Sequence, residues 1–505
     1  MIEPSKPSPI ASRWRRLKPS TPRRGGGIPD SPEDTPTRIP FWVAALDILT
    51  VLAVLLALRV LVGRGIKIQV AEDIRLSLNS VVRPLVAALG LWLVRHWLFR
   101  ARPLHRRLLD RFGPVWRSPA VRAAWPPFLA SRLAVLVVGY VAVVAIGFNP
   151  AAPWRVSNNE LLNLPARWDS GWYLTVVSRG YAWDGNPLHE STFAFFPGLP
   201  ALMSVGSMVT GLSEPQAGFV VVLAAFLWAL TYFYRLAREH LNESATQTAL
   251  LLAAFYPFAV YYCAVYTESV FLLAALGAFW HFRRGQLWRC ACFCLLAGLI
   301  RPNGFLLGGV LGLIALMDFA KHRGWLRGRA AGETTGSWSE LSVRLGVASL
   351  PIVAMLGYCA FVYARTGDPF VWMKVQQAWG RNANGLLSLF GNRQELIATY
   401  GTYSYVRNYS VEMLEGAAAL FALAAAWPIT KRFGLPYGVF VVINVLPSLY
   451  TIGTTSIGRY TAPLFPIFFW LGATVPESRR PYWLAAFAAG QALVAALFFT
   501  WRPPY

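Results

Sequence analysis

Apolar residues along this chain gather in long blocks parted by short basic or aromatic stretches. The blocks cover residues 41–62, 82–99, 128–148, 216–235, 246–264, 268–282, 287–300, 303–320, 345–366, 411–428, 434–452, 459–475 and 482–501. A helix of about 17–25 apolar residues spans a bilayer. A backbone in lipid must satisfy its own hydrogen bonds, and no segment sustains the period-two alternation of a membrane strand. The pattern predicts an all-α polytopic membrane protein with about 13 transmembrane helices.

Basic residues give the blocks a direction. The stretch 100–127 carries Arg100, Arg102, Arg106, Arg107, Arg111, Arg117 and Arg122 against Asp110, so it is placed in the cytoplasm. Arg283, Arg284 and Arg289 mark a second inside loop, and Lys321, Arg323, Arg327, Arg329 and Arg344 a third. Lys431 and Arg432, then Arg479 and Arg480, mark two more. Residues 149–194 are too polar to cross and fall outside, where their aromatic and charged residues at helical spacing suit short helices lying on the membrane surface. Counting crossings back from 281–289 leaves 195–212 starting and ending outside. That segment is therefore expected to be re-entrant or interfacial, opening on the helix-breaking Phe195-Phe196-Pro197-Gly198-Leu199-Pro200. Residues 1–39 are rich in Pro, Gly and Arg and read as a disordered basic cytoplasmic tail rather than a signal peptide.

Composition sharpens this picture. Of 505 residues, 55% are hydrophobic and 14% charged, against about 25% charged in soluble domains. The formal net charge of +23 follows from the positive-inside bias, so no nucleic-acid partner is inferred from it. Cys263, Cys290, Cys292, Cys294 and Cys359 lie in apolar blocks without metal-ligand spacing and read as core packing. No P-loop, metal motif or soluble catalytic domain is present in the pattern.

Charged residues at membrane depth are costly and are functional candidates when they face a cavity. Five clusters fall on the predicted outer side. Arg167-Trp168-Asp169-Ser170-Gly171-Trp172-Tyr173 offers a carboxylate among aromatics, suited to take a proton from a sugar acceptor; an interfacial aromatic belt is the plainer reading. Tyr266-Thr267-Glu268 places an acid in an apolar run, where it must find a partner such as Arg301. Arg301-Pro302-Asn303-Gly304 breaks an apolar run and carries an arginine that lipid cannot accept. The loop 367–410 holds Lys374, Arg381, Arg393 and Arg407 with Trp372, Trp379 and several tyrosines, fitting a lipid phosphate or plain headgroup contact. Ser456-Ile457-Gly458-Arg459-Tyr460 is a second candidate phosphate site.

In order and spacing these clusters resemble the PIG-V family of mannosyltransferases within the GT-C superfamily. The matching stretches are 167–173 with Gly180-Tyr181, Phe195-Phe196-Pro197, Tyr256-Pro257, Tyr266-Thr267-Glu268-Ser269, Arg301-Pro302-Asn303-Gly304 and Arg459-Tyr460. The resemblance spans about 128 to 475. The resemblance implies a GT-C fold with a long first outer catalytic loop over 128–505. It implies a polyprenyl-phosphate sugar donor, with mannose the first choice, and a lipid or glycolipid acceptor, with membrane lipids around the site. It implies an inverting transfer with Asp169 as catalytic base. Arg167, Trp168, Trp172, Tyr173, Glu268, Arg301, Asn303, Lys374, Arg381 and Arg459 are the substrate-binding candidates, Arg301 and Arg459 for phosphate. Neither a cofactor nor a divalent metal is expected. The active site would face outward from a bacterial plasma membrane. The helix pair and basic loop over 40–127 precede the matching part and form an extra module. A multi-span transporter or lipid flippase shares the spans and buried charges, though no internal repeat is visible. A non-catalytic envelope scaffold is a third reading, one that leaves Asp169 and Arg301 dispensable.

Overall fold

The computed structural model describes residues 39–62, 66–71, 74–78, 80–100, 103–149, 154–326, 337–381, 388–454 and 456–502. Residues 1–38 of the tail expected over 1–39, and Arg327 and Arg329 of the third basic loop, lie outside the described residues. The described chain is helical except for one antiparallel hairpin, Ile66–Ala71 with Ile74–Leu78, between the first two long helices. That hairpin leaves the all-α reading of the membrane-spanning part intact. It sits outside the apolar blocks, where alternation over a few residues suffices for two strands.

Seven described helices are long and apolar enough to cross a membrane, or eight if one bent pair counts as a span. They are Phe41–Val62, Pro119–Ala145, Glu214–Ala237, Pro302–His322, Trp338–Thr366, Ser410–Phe433 and Glu477–Phe499. The remaining blocks form shorter or broken helices, so the expected count of about 13 is not reached by length and composition alone. Two breaks correct the predicted spans. The block 246–264 is helical only through Ala254; a 3-10 turn over Pro257–Cys263 follows, and Glu268–Arg283 leaves it at 98°. The block 459–475 divides into Ile457–Thr461 and Phe465–Thr474. Pro257 and Pro463 sit at these breaks, each lacking an N–H and disfavouring helix in the residue before it.

A broken helix frees carbonyls that apolar surroundings cannot satisfy. Arg132, buried on Pro119–Ala145, meets this need. Its Nη1 and Nη2 donate to the carbonyls of Ala259 and Ala254 at 2.7 and 2.9 Å, with its guanidinium over Phe226. Gln491 Nε2 adds bonds to the carbonyls of Ala254 and Tyr256. Hydrogen bonds to charged groups contribute about 1.5–3 kcal/mol each, so these contacts can hold the break. Arg132 was not singled out from the sequence. In the N-terminal module, Asp47 is likewise buried against Arg95 at 2.8 Å and against Arg107.

The basic loops after residue 237 gather at one end of the bundle. Glu239 pairs with Arg283 and Arg284 at 3.1 and 3.3 Å, and Asp318 with Arg344 at 2.8 Å. Glu477 meets Arg480 and Ser244, and His240 meets Tyr437. The functional candidates lie at the other end, a helix length away along Glu268–Arg283 and Leu287–Ile300.

The short helix Gly198–Thr210 begins at this second end. Gly198 packs on the Leu299 carbonyl, and Gly211 on the backbone of Arg59, near the end of the first helix. Arg59 Nε also donates to the Met208 carbonyl at 2.6 Å. Four cysteines are buried as expected; Cys292 is exposed, because it lies across its helix from Cys290 and Cys294. That cysteine must be removed to test the re-entrant path. In a Cys292→Ser background, Ser213→Cys is expected to react with an impermeant maleimide from the same side as Met373→Cys. Reaction only from the side of Arg480 overturns the re-entrant path.

Candidate active site

The first half of the site is built by the segment 154–194. Asn163, fully buried, accepts from the N–H groups of Val156 and Ser157 and donates to the Ser157 carbonyl, closing the entry loop. Arg167 donates to Glu160 at 3.1 Å and to the Phe499 carbonyl at 3.2 Å, between the rings of Phe148 and Trp501. The next residue, Trp168, has φ of 52°, a conformation unusual for a bulky side chain. Its indole N–H donates to the Phe498 carbonyl at 3.0 Å, and its ring lies 4.9 Å from that of Trp501. These contacts hold the turn that presents Asp169.

Asp169 starts the helix Ser170–Arg179 without capping it through its side chain. Its backbone N–H donates to the Tyr266 hydroxyl at 3.0 Å. Its carboxylate turns inward to Arg459, which donates from Nη1 to Oδ2 at 2.6 Å. No described residue donates to Oδ1. These two side chains are 290 positions apart in the sequence.

The second half is the break at Arg301. Backbone at Arg301 is extended, between Leu287–Ile300 and a 3-10 turn over Pro302–Phe305. Gly304 packs directly on the Ala297 carbonyl, where any Cβ would overlap it. This puts the Arg301 guanidinium 3.5 Å from Glu268, 5.3 Å from the Phe271 ring and 4.5 Å from the Tyr460 ring. Glu268 and Arg301 are both buried. Asn303 Nδ2 donates to Asn444 at 2.8 Å.

Both halves face one cavity of about 580 Å³, lined on its third side by residues between Trp372 and Arg381. Asp169, Glu268, Arg301, Lys374, Arg381 and Arg459 all line it. Tyr173, Phe195, Tyr266, Trp372, Trp379 and Tyr460 supply its aromatic wall. Lys374 is paired with Asp368, and Arg381 donates to Gln376 at 2.5 Å. Among the described residues Arg381 has no acidic partner. The Tyr173 phenol is pushed far above its ordinary range, first by burial and then by the charges of Glu268 and Asp169, so it stays neutral and can donate.

Several buried polar atoms of this lining lack a protein partner. They are Glu268 Oε2, Arg301 Nε and Nη1, Asn303 Oδ1, Trp372 Nε1 and Arg459 Nε. Buried polar groups are nearly always satisfied, so such a cluster at one cavity marks where a ligand supplies the missing bonds. The set contains acceptors and donors together, as a phosphorylated polyol would require.

The sequence candidates divide accordingly. Asp169, Tyr173, Glu268, Arg301, Asn303, Lys374, Arg381 and Arg459 reach the cavity. Arg167, Trp168 and Trp172 do not line it. The first two lock the turn beneath Asp169, and Trp172 stacks behind Phe195 at 5.6 Å and meets Trp379 edge-on at 5.6 Å. Arg459, read from sequence as a phosphate ligand, is held by Asp169. The hydroxyl of Tyr266 and the ring of Tyr460 were quoted only as parts of motifs, yet both contact the charged centre. Among the described residues no three His, Cys, Asp or Glu side chains gather as a metal set.

One comparison with known proteins falls on the segment that supplies half of the cavity lining. The family model for mannosyltransferase (PIG-V) matches residues 149–322. Human GPI alpha-1,6-mannosyltransferase 2 is 29% identical over 164 residues, covering 30% of this chain and 31% of the relative. The Rattus norvegicus protein of that name is 29% identical over 164 residues, 30% of this chain and 32% of its own length. The chain thus matches about a third of the length of these curated relatives. Among solved structures, ArnT from Cupriavidus metallidurans bound to undecaprenyl phosphate aligns with 75% of this chain and 76% of its own, at 14% identity and a TM-score of 0.40. An Archaeoglobus fulgidus oligosaccharyltransferase aligns with 74% of this chain and 53% of its own, at 14% identity and a TM-score of 0.33. Through the segment that supplies Asp169, Glu268, Arg301 and Asn303, this multi-pass chain is PIG-V-like.

Proposed function

We propose that this protein is a membrane glycosyltransferase that moves one sugar, mannose, from a polyprenyl-phosphate donor to a lipid or glycolipid acceptor. The carrying observation is the cavity itself. Two carboxylates, four cations and an aromatic wall, drawn from distant parts of the chain, meet in one space of about 580 Å³. That volume suits a small ligand, and the PIG-V-like segment supports mannose as the sugar.

In this reading Asp169 is the base. Arg459 holds Oδ2, leaving Oδ1 to accept the proton of the attacking acceptor hydroxyl. As the new bond forms at the anomeric carbon, the bond from that carbon to the phosphate oxygen breaks. A single displacement of this kind inverts the centre. Negative charge grows on the departing polyprenyl phosphate, and Arg301, Lys374 and Arg381 are the groups to meet it. Glu268 Oε2 and Asn303 Oδ1 accept from sugar hydroxyls, while Trp372, Trp379 and Tyr173 pack against the ring. No cofactor or divalent metal enters this scheme. The positive-inside rule assigns the end holding Arg283, Arg284, Arg344 and Arg480 to the cytoplasm. The cavity then opens at the outer face of a bacterial plasma membrane.

The test uses membranes containing the full chain and polyprenyl-phosphate mannose carrying labelled sugar. Label is expected to move into a second lipid, chromatographically distinct from the donor. Label that stays on the donor, with mannose and then with other hexoses, sinks the reading.

A further inference from the structure

Glu415 lies on the Ser410–Phe433 helix with none of its surface exposed. A carboxylate inside an apolar span is costly and calls for a use. The transfer scheme gives it none. Arg459, beside the Gly458 that Glu415 touches, is committed to Asp169. Glu415 Oε2 instead accepts from the backbone N–H of Gly458, and Oε1 has no partner.

Gly458 belongs to the turn that carries Arg459, and this turn is held tightly. Ser456 has φ of 60°, in the left-handed region that few serines adopt. The Gly458 Cα packs on the Phe258 ring with no room for a side chain. Thr461 Oγ1 donates to the Gly458 carbonyl at 2.6 Å and lies 2.8 Å from the Tyr256 hydroxyl. Strain of this kind persists only where surrounding contacts enforce it.

We infer that Glu415 is a positioning residue: by accepting the Gly458 N–H it fixes the Ser456–Thr461 turn so that Arg459 reaches Asp169. The inference rests on the glycosyl-transfer reading. Glu415 touches neither Asp169 nor the cavity; it acts through Gly458 and Arg459. Errors near 1 Å in such an arrangement lower turnover by about 100-fold.

A double-mutant cycle in the full-length protein tests this, with gel filtration in detergent as the folding control. Glu415→Ala is expected to lower kcat by about 100-fold with little change in donor KM. Glu415→Gln keeps an oxygen for the Gly458 N–H and is expected to recover activity to within about threefold of wild type. In an Arg459→Ala background, Glu415→Ala is expected to add almost nothing, because residues acting in series are not additive. Should Glu415→Ala not fold, Glu415→Met fills the space and removes the acceptor, and serves in the same cycle. Losses that multiply across the cycle, or a Gln variant as poor as Ala, overturn the inference. Wild-type transfer with an unaffected Glu415→Ala also overturns it while sparing the transferase reading. Absence of transfer by wild-type protein sinks that reading and this inference with it.

Discussion

Asp169→Asn is expected to slow sugar transfer by about 10²–10⁴-fold, the usual range for loss of a positioned general base. The substitution is nearly isosteric. An amide oxygen can still accept a hydrogen bond from the acceptor hydroxyl, but it cannot carry the proton away. Little else should change. The turn before Asp169 is held by Arg167 on Glu160 and the Phe499 carbonyl, and by the Trp168 indole on the Phe498 carbonyl, none of which involves the Asp169 side chain. The bond from the Asp169 backbone N–H to Tyr266 also survives. The Arg459 side chain is 10% exposed, and the amide oxygen of the Asn variant can still accept from its Nη1, so the effect on folding should be smaller than that of truncation. Turnover measured at saturating donor, alongside gel filtration, separates the two effects. A folded Asn variant with wild-type turnover removes Asp169 as the base.

Arg301→Ala is expected to act twice, on stability and on donor use. Truncation leaves Glu268, 1% exposed, without its cation. Breaking a buried pair on one side typically costs about 3–5 kcal/mol, because the remaining charge is stranded. The same variant removes Nε and Nη1, the unpartnered donors available to a phosphate. A charge-assisted hydrogen bond contributes about 1.5–3 kcal/mol, so donor KM should rise by about 10–100-fold for each bond lost. The double variant Arg301→Ala with Glu268→Gln separates the effects. It removes the stranded charge, so thermal stability in detergent should largely return. Donor saturation should remain weak, since no guanidinium is restored. A double variant whose donor saturation matches wild type would show that Arg301 serves only to neutralise Glu268.

Much of the site can be read from the chain because breaks and charges are local. Pro302 and Gly304 mark the end of a helix wherever it packs, and an arginine beside them must be taken out of lipid. The pairing of Glu268 with Arg301 followed from that need for a partner. The re-entrant course expected for 195–212 rests on counting crossings between basic loops; the structure shows a helix of 13 residues there, Gly198–Thr210, and the labelling experiment above decides its path. Where the reading erred, a local rule was applied over too long a stretch. The blocks 246–264 and 459–475 are apolar enough to span, yet Pro257 and Pro463 divide them, and apolarity by itself does not reveal whether neighbours can satisfy the freed carbonyls.

The sequence by itself determined that the chain is helical and multi-pass, that a helix breaks at Pro302 and Gly304, and that Asp169 and Arg301 are exceptional residues in their surroundings. Those properties depend on length, hydropathy and backbone chemistry within a few turns. Only the tertiary structure decided which charge meets which. It set Arg459 on Asp169 across 290 positions, Arg132 on the carbonyls of Ala254 and Ala259, and Trp168 on the Phe498 carbonyl. A guanidinium or an indole can reach any acceptor that folding brings within a few ångströms. Its partner is therefore chosen by the packing of whole helices, which no spacing along the chain encodes.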